Sequence, residues 1–183
     1  MRLLGFDDAP FDRTWRGDVP VVGILCHGGR VDGALRGAVR RDGADATRRL
    51  AALVQGSRLA GQVQAVLLQG ISLAGFNVID IHDLAAALDC PVLVVARRAP
   101  DLLVIRRALM ERVPGGRRKW ALVERAGPME PCGGVWVQRA GIDLTEARAL
   151  LAAGTIHGRL PEALRVAHLV AGAIGRGQSR GRA

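Results

Sequence analysis

Two polar residues follow apolar segments that are predicted to be strands. Asp7 follows the short apolar strand 3–6, and Gln69 follows the continuous apolar run 65–68, which is typical of a strand buried on both faces. Right-handed crossovers place the strand 65–68 beside the strand 3–6, so that Asp7 and the end of 65–68 meet in one shallow site. Mg²⁺ prefers hard oxygen ligands, usually carboxylates, so a magnesium site here would need acidic side chains from separate strands to converge. The alternative for Asp7 is a turn aspartate that caps the chain before Pro10.

The elements that must position this edge follow from the hydrophobic pattern. Strand 3–6, strand 19–26 and strand 31–40 are predicted to form an antiparallel meander, with a turn at Gly28-Gly29. The later helices are predicted over 44–57, 80–88, 100–113, 144–152 and 161–173, and the later strands over 65–68, 91–96 and 135–137. Three antiparallel strands followed by parallel strand–helix units form the order of ribonuclease-H-like nucleases, although other α/β folds share parts of it. We predict one domain over residues 1–175 and a flexible basic tail over 176–183.

Four segments carry a resemblance to a known family. They are Leu4-Gly5-Phe6-Asp7-Asp8, the glycine loop 69–77 (Gln-Gly-Ile-Ser-Leu-Ala-Gly-Phe-Asn), the strand 92–98 and the segment 159–168 (Arg-Leu-Pro-Glu-Ala-Leu-Arg-Val-Ala-His). Together they resemble the endonuclease V superfamily, most closely its archaeal-type endonuclease dU (deoxyuridine endonuclease) branch. The resemblance implies a ribonuclease-H-like α/β fold with a mixed sheet flanked by helices. It also implies a DNA-repair enzyme that uses Mg²⁺, with Mn²⁺ as an alternative, to nick DNA at or near deaminated bases.

The resemblance also assigns candidate metal ligands. Asp7 matches the first-strand aspartate of the family, whereas Asp8 is expected to point to the opposite face of the strand. Asp45 is either the second carboxylate or an acid that the dipole at the start of a helix stabilises. Asp80 is either a further ligand or the N-cap of the helix 80–88.

Gln69 is a departure from the family, in which the corresponding strand normally ends in an aspartate. A glutamine carbonyl can contact Mg²⁺, but it brings no charge. Two readings follow from this residue. Either this branch of the family tolerates a neutral ligand in a working catalytic site, or the chain is a non-catalytic nucleic-acid-binding relative with a degenerate metal site.

The candidate substrate contacts follow the strands 65–68 and 91–96. Arg97 falls where endonuclease V has a lysine, and an arginine can hold a phosphate through two hydrogen bonds; Arg98 is expected to face away from it. Gly70, Gly75 and Asn77 either admit a flipped base or form a tight strand-to-helix connection. The family opens the duplex with an aromatic-proline wedge, and the matching stretch 39–46 has neither residue type. His168, in an apolar helix, is expected to be a packed core histidine.

Charge and composition define the class of partner. The net charge of +9 comes from 26 basic and 17 acidic residues, and it favours DNA as a partner. A coding bias toward arginine is the alternative, since Lys119 is the only lysine. No apolar run reaches the roughly 18 residues of a membrane helix. Three cysteines without a CxxC pair predict reduced thiols and a cytoplasmic protein. The oligomeric state does not follow from the sequence.

Overall fold

The computed structural model describes residues 1–179, so residues 180–183 of the predicted tail lie outside the described residues. Its nine strands over those residues are β1 (Arg2–Asp8), β2 (Asp18–His27), β3 (Arg30–Arg40), β4 (Ala65–Gln69), β5 (Ser72–Leu73), β6 (Asn77–Val78), β7 (Val92–Ala96), β8 (Glu130–Cys132) and β9 (Val135–Ala140). The α-helices of the same part are α1 (Ala46–Gln55), α2 (Ile81–Leu88), α3 (Leu102–Arg112), α4 (Gly116–Arg125), α5 (Leu144–Gly154) and α6 (Glu162–Arg176). None of these helices combines the length and the hydropathy that crossing a membrane requires.

Seven strands form one mixed sheet in the order β3-β2-β1-β4-β7-β9-β8. The first three strands of the chain pair antiparallel, and β4 and β7 then add in parallel to β1, as the sequence predicts. The register pairs Phe6 of β1 with Leu68 of β4, and Gln69 with Val95 of β7. Asp7, Gln69 and the residues after β7 therefore lie along one edge of the sheet.

The two faces of the sheet are covered by different helices. Leu4, Phe6 and Leu68 belong to the core that α1 and α2 cover, whereas Leu3 and Leu67 belong to the core that α5 and α6 cover. Side chains alternate between the faces of a strand. Asp7 and Gln69 therefore point toward the α5 and α6 side, and Asp8 points toward the α1 and α2 side.

Helices α3 and α4 form a hairpin that packs on the short β5–β6 pair. The contact is a small apolar cluster built around Val78, Leu109 and Val123, with Ile71 and Phe76 against it. The hydrophobic pattern of the sequence does not predict α4, β5, β6 or β8. Helix α4 begins at Gly116, directly after Pro114-Gly115, and half of its residues are charged, so the sequence offers few apolar positions from which to predict it. Strands of two or three residues are too short for an alternating pattern.

Candidate active site

Asp7 lies at the carboxyl end of β1 with only 7% of its surface exposed. One carboxylate oxygen, Oδ1, accepts a hydrogen bond from the backbone N–H of Asp8 at 3.0 Å. The other, Oδ2, lies 2.7 Å from Nδ1 of His168. Burial raises the pKa of Asp7 above its ordinary value, and the hydrogen bond and charge of His168 oppose that rise. The geometry therefore defines an aspartate–histidine pair.

Helix α6 brings His168 to this position by an unusually close approach to β1. A Cβ atom on Gly5 would lie 2.5 Å from the carbonyl carbon of Ala163, so only glycine fits beneath the helix. Ala163, Leu164 and Ala167 are buried on the same helix, while the side chain of His168 keeps 38% of its surface exposed. The expectation that His168 is a packed core histidine is wrong, because the side chain reaches the rim of the site.

Gln69 lies beside Asp7, one step beyond the Phe6–Leu68 pair in the β1–β4 register. Its Oε1 atom is buried and has no hydrogen-bond partner among residues 1–179. Buried polar atoms are normally satisfied, so an unpaired buried oxygen is a candidate ligand for a cation or for a donor group of a substrate. Gln69 thus presents a free oxygen on the face of the sheet to which Asp7 points.

Asp8 has a structural role on the opposite face, as the strand alternation predicts. Its Oδ2 atom accepts a hydrogen bond from the backbone N–H of Ala74 at 2.9 Å, which ties the glycine loop to β1. Burial and the nearby charge of Asp7 raise the pKa of Asp8 to about 6. Ala74 itself has a left-handed backbone with φ +50°, so this hydrogen bond holds a strained turn in place.

Asp45 and Asn77 form a polar junction at the start of α1 rather than part of the Asp7 site. Asn77 is fully buried; its Oδ1 accepts from the N–H of Ala46, and its Nδ2 donates to Asp45 and to the carbonyl of Arg40. Asp45 also pairs with Arg49 at 2.5 Å. Burial pushes the pKa of Asp45 up, but the hydrogen bonds from Asn77 and Arg40 and the charge of Arg49 lower it overall. Of the two roles that the sequence leaves open for each residue, these contacts match the strand-to-helix connection for Asn77 and the helix start for Asp45, rather than a base contact and a second metal carboxylate.

Asp80 is the N-cap of α2, one of the two roles that the sequence allows. Its Oδ1 accepts hydrogen bonds from the backbone N–H groups of His82 and Asp83, and its other oxygen pairs with Arg125. Within residues 1–179 no three His, Cys, Asp or Glu side chains come together as a metal site. The structure therefore does not assemble Asp7, Asp45 and Asp80 into one ligand set, which corrects that prediction.

The remaining predicted site residues lie at the same edge of the sheet. Arg97 and Arg98 follow β7, are exposed and make no ion pair with any residue of the described chain. Gly70 follows Gln69 with φ +92° and open space around its Cα atom. Gly75, with φ +84°, packs against the carboxylate of Asp42 and leaves no room for a Cβ. Gly70 thus keeps room beside Gln69, whereas Gly75 serves the turn.

A cavity of about 400 Å³ opens between the start of α1 and helix α4. The buried Lys119 lines it and donates from Nζ to the carbonyl of Asp42. Burial lowers the pKa of Lys119. The carboxylate of Asp42 is occupied by the N–H of Phe76 and by Arg41. Arg118 also lines the cavity, so two basic side chains that can donate hydrogen bonds border it. Neither Lys119 nor this cavity was predicted from the sequence.

The residues around Asp7 fit one divalent cation better than two. A carboxylate and a neutral amide oxygen are both ligands that Mg²⁺ accepts, and such sites usually take further oxygens from water and substrate phosphate. The unpaired Oε1 of Gln69 is the observation that supports this fit. Two metals would need more carboxylates than this edge offers. Asp7 and Gln69 are therefore the residues that would hold a metal.

Replacing Gln69 with glutamate tests whether this oxygen faces a cation. The variant keeps the length of the side chain but adds a second buried carboxylate beside Asp7. We expect the metal-free variant to lose about 1–3 kcal/mol of stability, and Mg²⁺ or Mn²⁺ to raise its melting temperature more than that of the native chain. Thermal unfolding with and without metal measures both effects, and the exposed Gln178→Glu is the matched control. Equal metal responses in all three proteins would contradict the assignment.

The strand order, the helices on both faces and the polar carboxyl edge define a ribonuclease-H-like domain of the endonuclease V type, which confirms the predicted fold class. Human endonuclease V superposes with a TM-score of 0.58 over 93% of this chain and 82% of that chain, at 15% identity. Endonuclease V of Ciona intestinalis, in complex with a 24mer DNA containing an inosine, also gives 0.58 over 91% and 82%, at 12% identity. The family model for Endonuclease dU matches residues 1–175, and the chain belongs to that family.

Closer relatives agree with this assignment. A UPF0215 protein of Deinococcus radiodurans is 56% identical over 178 residues, which cover 97% of this chain and 91% of the relative. A crystal structure from Archaeoglobus fulgidus superposes with a TM-score of 0.90 at 38% identity, over 96% of this chain and 99% of that one. The family and its structural neighbours support a nuclease-like role in DNA processing.

Proposed function

We propose that this chain is a divalent-metal-dependent endonuclease that nicks DNA at or near a deaminated base, with deoxyuridine as the favoured lesion and DNA repair as the process. The observation that carries the proposal is the Asp7–His168 pair beside the unpaired oxygen of Gln69, at the open edge of an endonuclease V-like sheet. Membership in the Endonuclease dU family supports the same reaction.

The chemistry follows from the roles that these residues can take. Asp7 and Gln69 would hold Mg²⁺ or Mn²⁺, which when bound neutralises charge on the phosphate and favours ionisation of the attacking water. In the tautomer in which Nδ1 of His168 donates to Asp7, Nε2 carries a free lone pair and can take a proton from water. Arg97, exposed beside this edge, can hold a phosphate oxygen. The reaction is hydrolysis of one phosphodiester bond.

The choice of a deaminated base is supported by the donor-rich cavity beside α4. Deamination of cytosine replaces an amino group, which donates hydrogen bonds, with a carbonyl group, which accepts them. Lys119 and Arg118 can donate to such a carbonyl, and the acceptors of Asp42 are already occupied. A base with an amino group at that position would leave these donors unpaired, which costs binding energy. We propose that the lesion base enters this cavity, where these donors would bind uracil in preference to cytosine.

A second candidate is a DNA-binding protein that does not cut. The observation that favours it is the lack of a third acidic ligand, since no group of three metal-binding side chains forms within the described residues. The net charge of +9 would serve binding in either case. We assign both candidates to the cytoplasm, because the three cysteines are all free thiols.

A substrate panel separates the two candidates. We expect the native chain with Mg²⁺ to nick a duplex that contains one deoxyuridine at least about 10-fold faster than the same duplex with cytosine, since a lost buried hydrogen bond is worth about 1–3 kcal/mol. A third duplex with inosine tests whether the cavity accepts other deaminated bases. End-labelled strands on a denaturing gel give the rates. Tight binding with no nicking of any duplex, in Mg²⁺ or Mn²⁺, would support the binding protein instead.

A further inference from the structure

The positive charge of the chain is concentrated in one segment, which begins beside the Asp7 site and extends away from it. Residues 97–125, which contain α3 and α4 and which we call the α3–α4 arm, carry nine basic and three acidic residues. The arm is thus responsible for +6 of the net charge of +9. A basic surface of this density attracts polyanions.

Most of this charge is not neutralised within the protein. Five arginines of the arm are exposed and make no ion pair with residues 1–179; they are Arg97, Arg98, Arg112, Arg117 and Arg118. Other arm arginines are occupied: Arg125 pairs with Asp80 and Asp83, and Arg106 lies over the ring of Trp120. The unpaired guanidinium groups are free to contact phosphates.

The solvent face of α3 also exposes large apolar side chains. Leu103 is 78% exposed, Val104 62% and Met110 41%, whereas Leu109 on the opposite face is fully buried. Leu103 and Met110 lie two helical turns apart and flank Arg107 on the same face. Apolar side chains of this kind, surrounded by arginines, occur where proteins insert between the bases of bent or opened DNA.

The arm is continuous with the candidate active site. It begins directly after β7, whose Val95 pairs with Gln69, and its inner face packs on Ile71 and Phe76 of the loop that follows Gln69. A nucleic acid strand bound along the arm would therefore lead to the edge that contains Asp7. The stretch 39–46 has no aromatic residue or proline that could open a duplex. Leu103 and Val104 are the most exposed of the apolar residues that the arm offers for that task.

We infer that the α3–α4 arm is a DNA-binding surface, with its unpaired arginines on the phosphates and with Leu103 and Val104 inserted into the base stack beside the lesion. The inference deepens the proposed function, since it names the surface that delivers the strand to the site. Binding along the arm does not require that the site cuts. Charge complementarity selects DNA over a second copy of the chain, because two arms of +6 would repel each other.

The phosphate contacts are tested by measuring affinity against salt. Arg98→Gln, Arg112→Gln and Arg117→Gln are combined in one variant, because these three side chains are exposed and belong to the unpaired set. The control combines Arg36→Gln, Arg58→Gln and Arg148→Gln, which are exposed and lie outside the arm. Fluorescence anisotropy in EDTA with a deoxyuridine duplex gives the dissociation constants. We expect the arm variant to bind at least about 10-fold more weakly than the control. The slope of the logarithm of affinity against the logarithm of salt concentration should also fall in magnitude by about 2–3.

The inserted side chains are tested with a 2-aminopurine reporter beside the deoxyuridine, also in EDTA. The variant Leu103→Ser with Val104→Ser is compared with the control Val31→Ser with Ile156→Ser, whose residues are about half exposed. We expect the native chain and the control to raise the fluorescence by unstacking the reporter, and the arm variant to lose most of that rise. Arm variants that bind DNA and unstack the reporter base as their controls do would overturn the inference. So would arm variants whose sedimentation shows a changed oligomeric state while their affinity for DNA is unchanged. A protein that binds through the arm but never nicks would overturn the proposed function alone.

Discussion

Asp7→Asn is expected to lower the rate of nicking by about 10³-fold or more, because it removes the charged oxygen ligand of the site. Asparagine has nearly the same shape as aspartate, so its carbonyl can still meet His168, which lies 2.7 Å from Asp7. The loss would therefore come from the missing charge rather than from a displaced helix. Initial rates on a deoxyuridine duplex measure this effect.

The stability of the Asp7→Asn variant identifies the cause of the lost activity. Burial raises the pKa of Asp7, so the ionised side chain costs free energy in the folded state, and the amide removes that cost. We expect the free energy of unfolding to stay within about 1 kcal/mol of the native value or to rise. Asp89→Asn is the matched control, since Asp89 is exposed and has a left-handed backbone that asparagine accepts. Native rates in Asp7→Asn would exclude Asp7 as a ligand.

Gly5→Ala is expected to have the largest effect on stability. The new Cβ would lie 2.5 Å from the carbonyl carbon of Ala163 and 2.7 Å from the N atom of Leu164, both of them backbone atoms of α6 or its first turn. Backbone cannot move aside as a flexible side chain can, so the helix must shift. Overpacking of this kind costs about 1–3 kcal/mol or more, which for a chain of this size lowers the melting temperature by roughly 2–12 °C.

The same shift should impair catalysis, because α6 carries His168. A displacement of about 1 Å at a reacting group can cost about 10²-fold in rate. Gly61→Ala is the control, since a Cβ there meets no atom within 4 Å. Calorimetry and nicking rates on both variants, measured well below the melting temperature, separate unfolding from misplacement. A Gly5→Ala protein as stable and active as Gly61→Ala would contradict the described packing of α6 on β1.

The strands and most helices could be predicted because their patterns are local. Alternation marks the meander, and apolar runs mark β4 and β7. The predicted N-cap at Asp80 is confirmed by its hydrogen bonds to the first turn of α2. Helix α4 was missed because its stability comes from Val123 and Leu122 packing on β6 and α3, a contact between distant segments that a local pattern does not contain.

Only those residues of the site could be predicted that lie at strand ends or in the segments that resemble the family. Asp7, Gln69 and Arg97 could be named because each lies at, or directly after, the carboxyl end of a strand in the parallel part of the sheet. His168 could not be named, because its role depends on Gly5, which lets α6 pack close to β1. The two residues are 163 positions apart in the chain. In the sequence, His168 is a lone histidine in an apolar helix, at the end of the segment 159–168 that resembles the family. For Asp45 and Asn77 the sequence left two roles open, because polar residues near glycine turns can build a helix start as well as a site. The hydrogen bonds that distinguish the two roles are visible only in three dimensions.

The central claim is that the edge formed by Asp7, Gln69 and His168 cuts DNA beside a deaminated base with the help of a metal. One measurement addresses it directly: conversion of a supercoiled plasmid that contains deoxyuridine to the nicked circle by the native chain, in Mg²⁺ and after chelation. We predict nicking that requires Mg²⁺ and that is absent from the same plasmid without deoxyuridine. Undiminished nicking in the chelator, or equal nicking of both plasmids, would contradict the account.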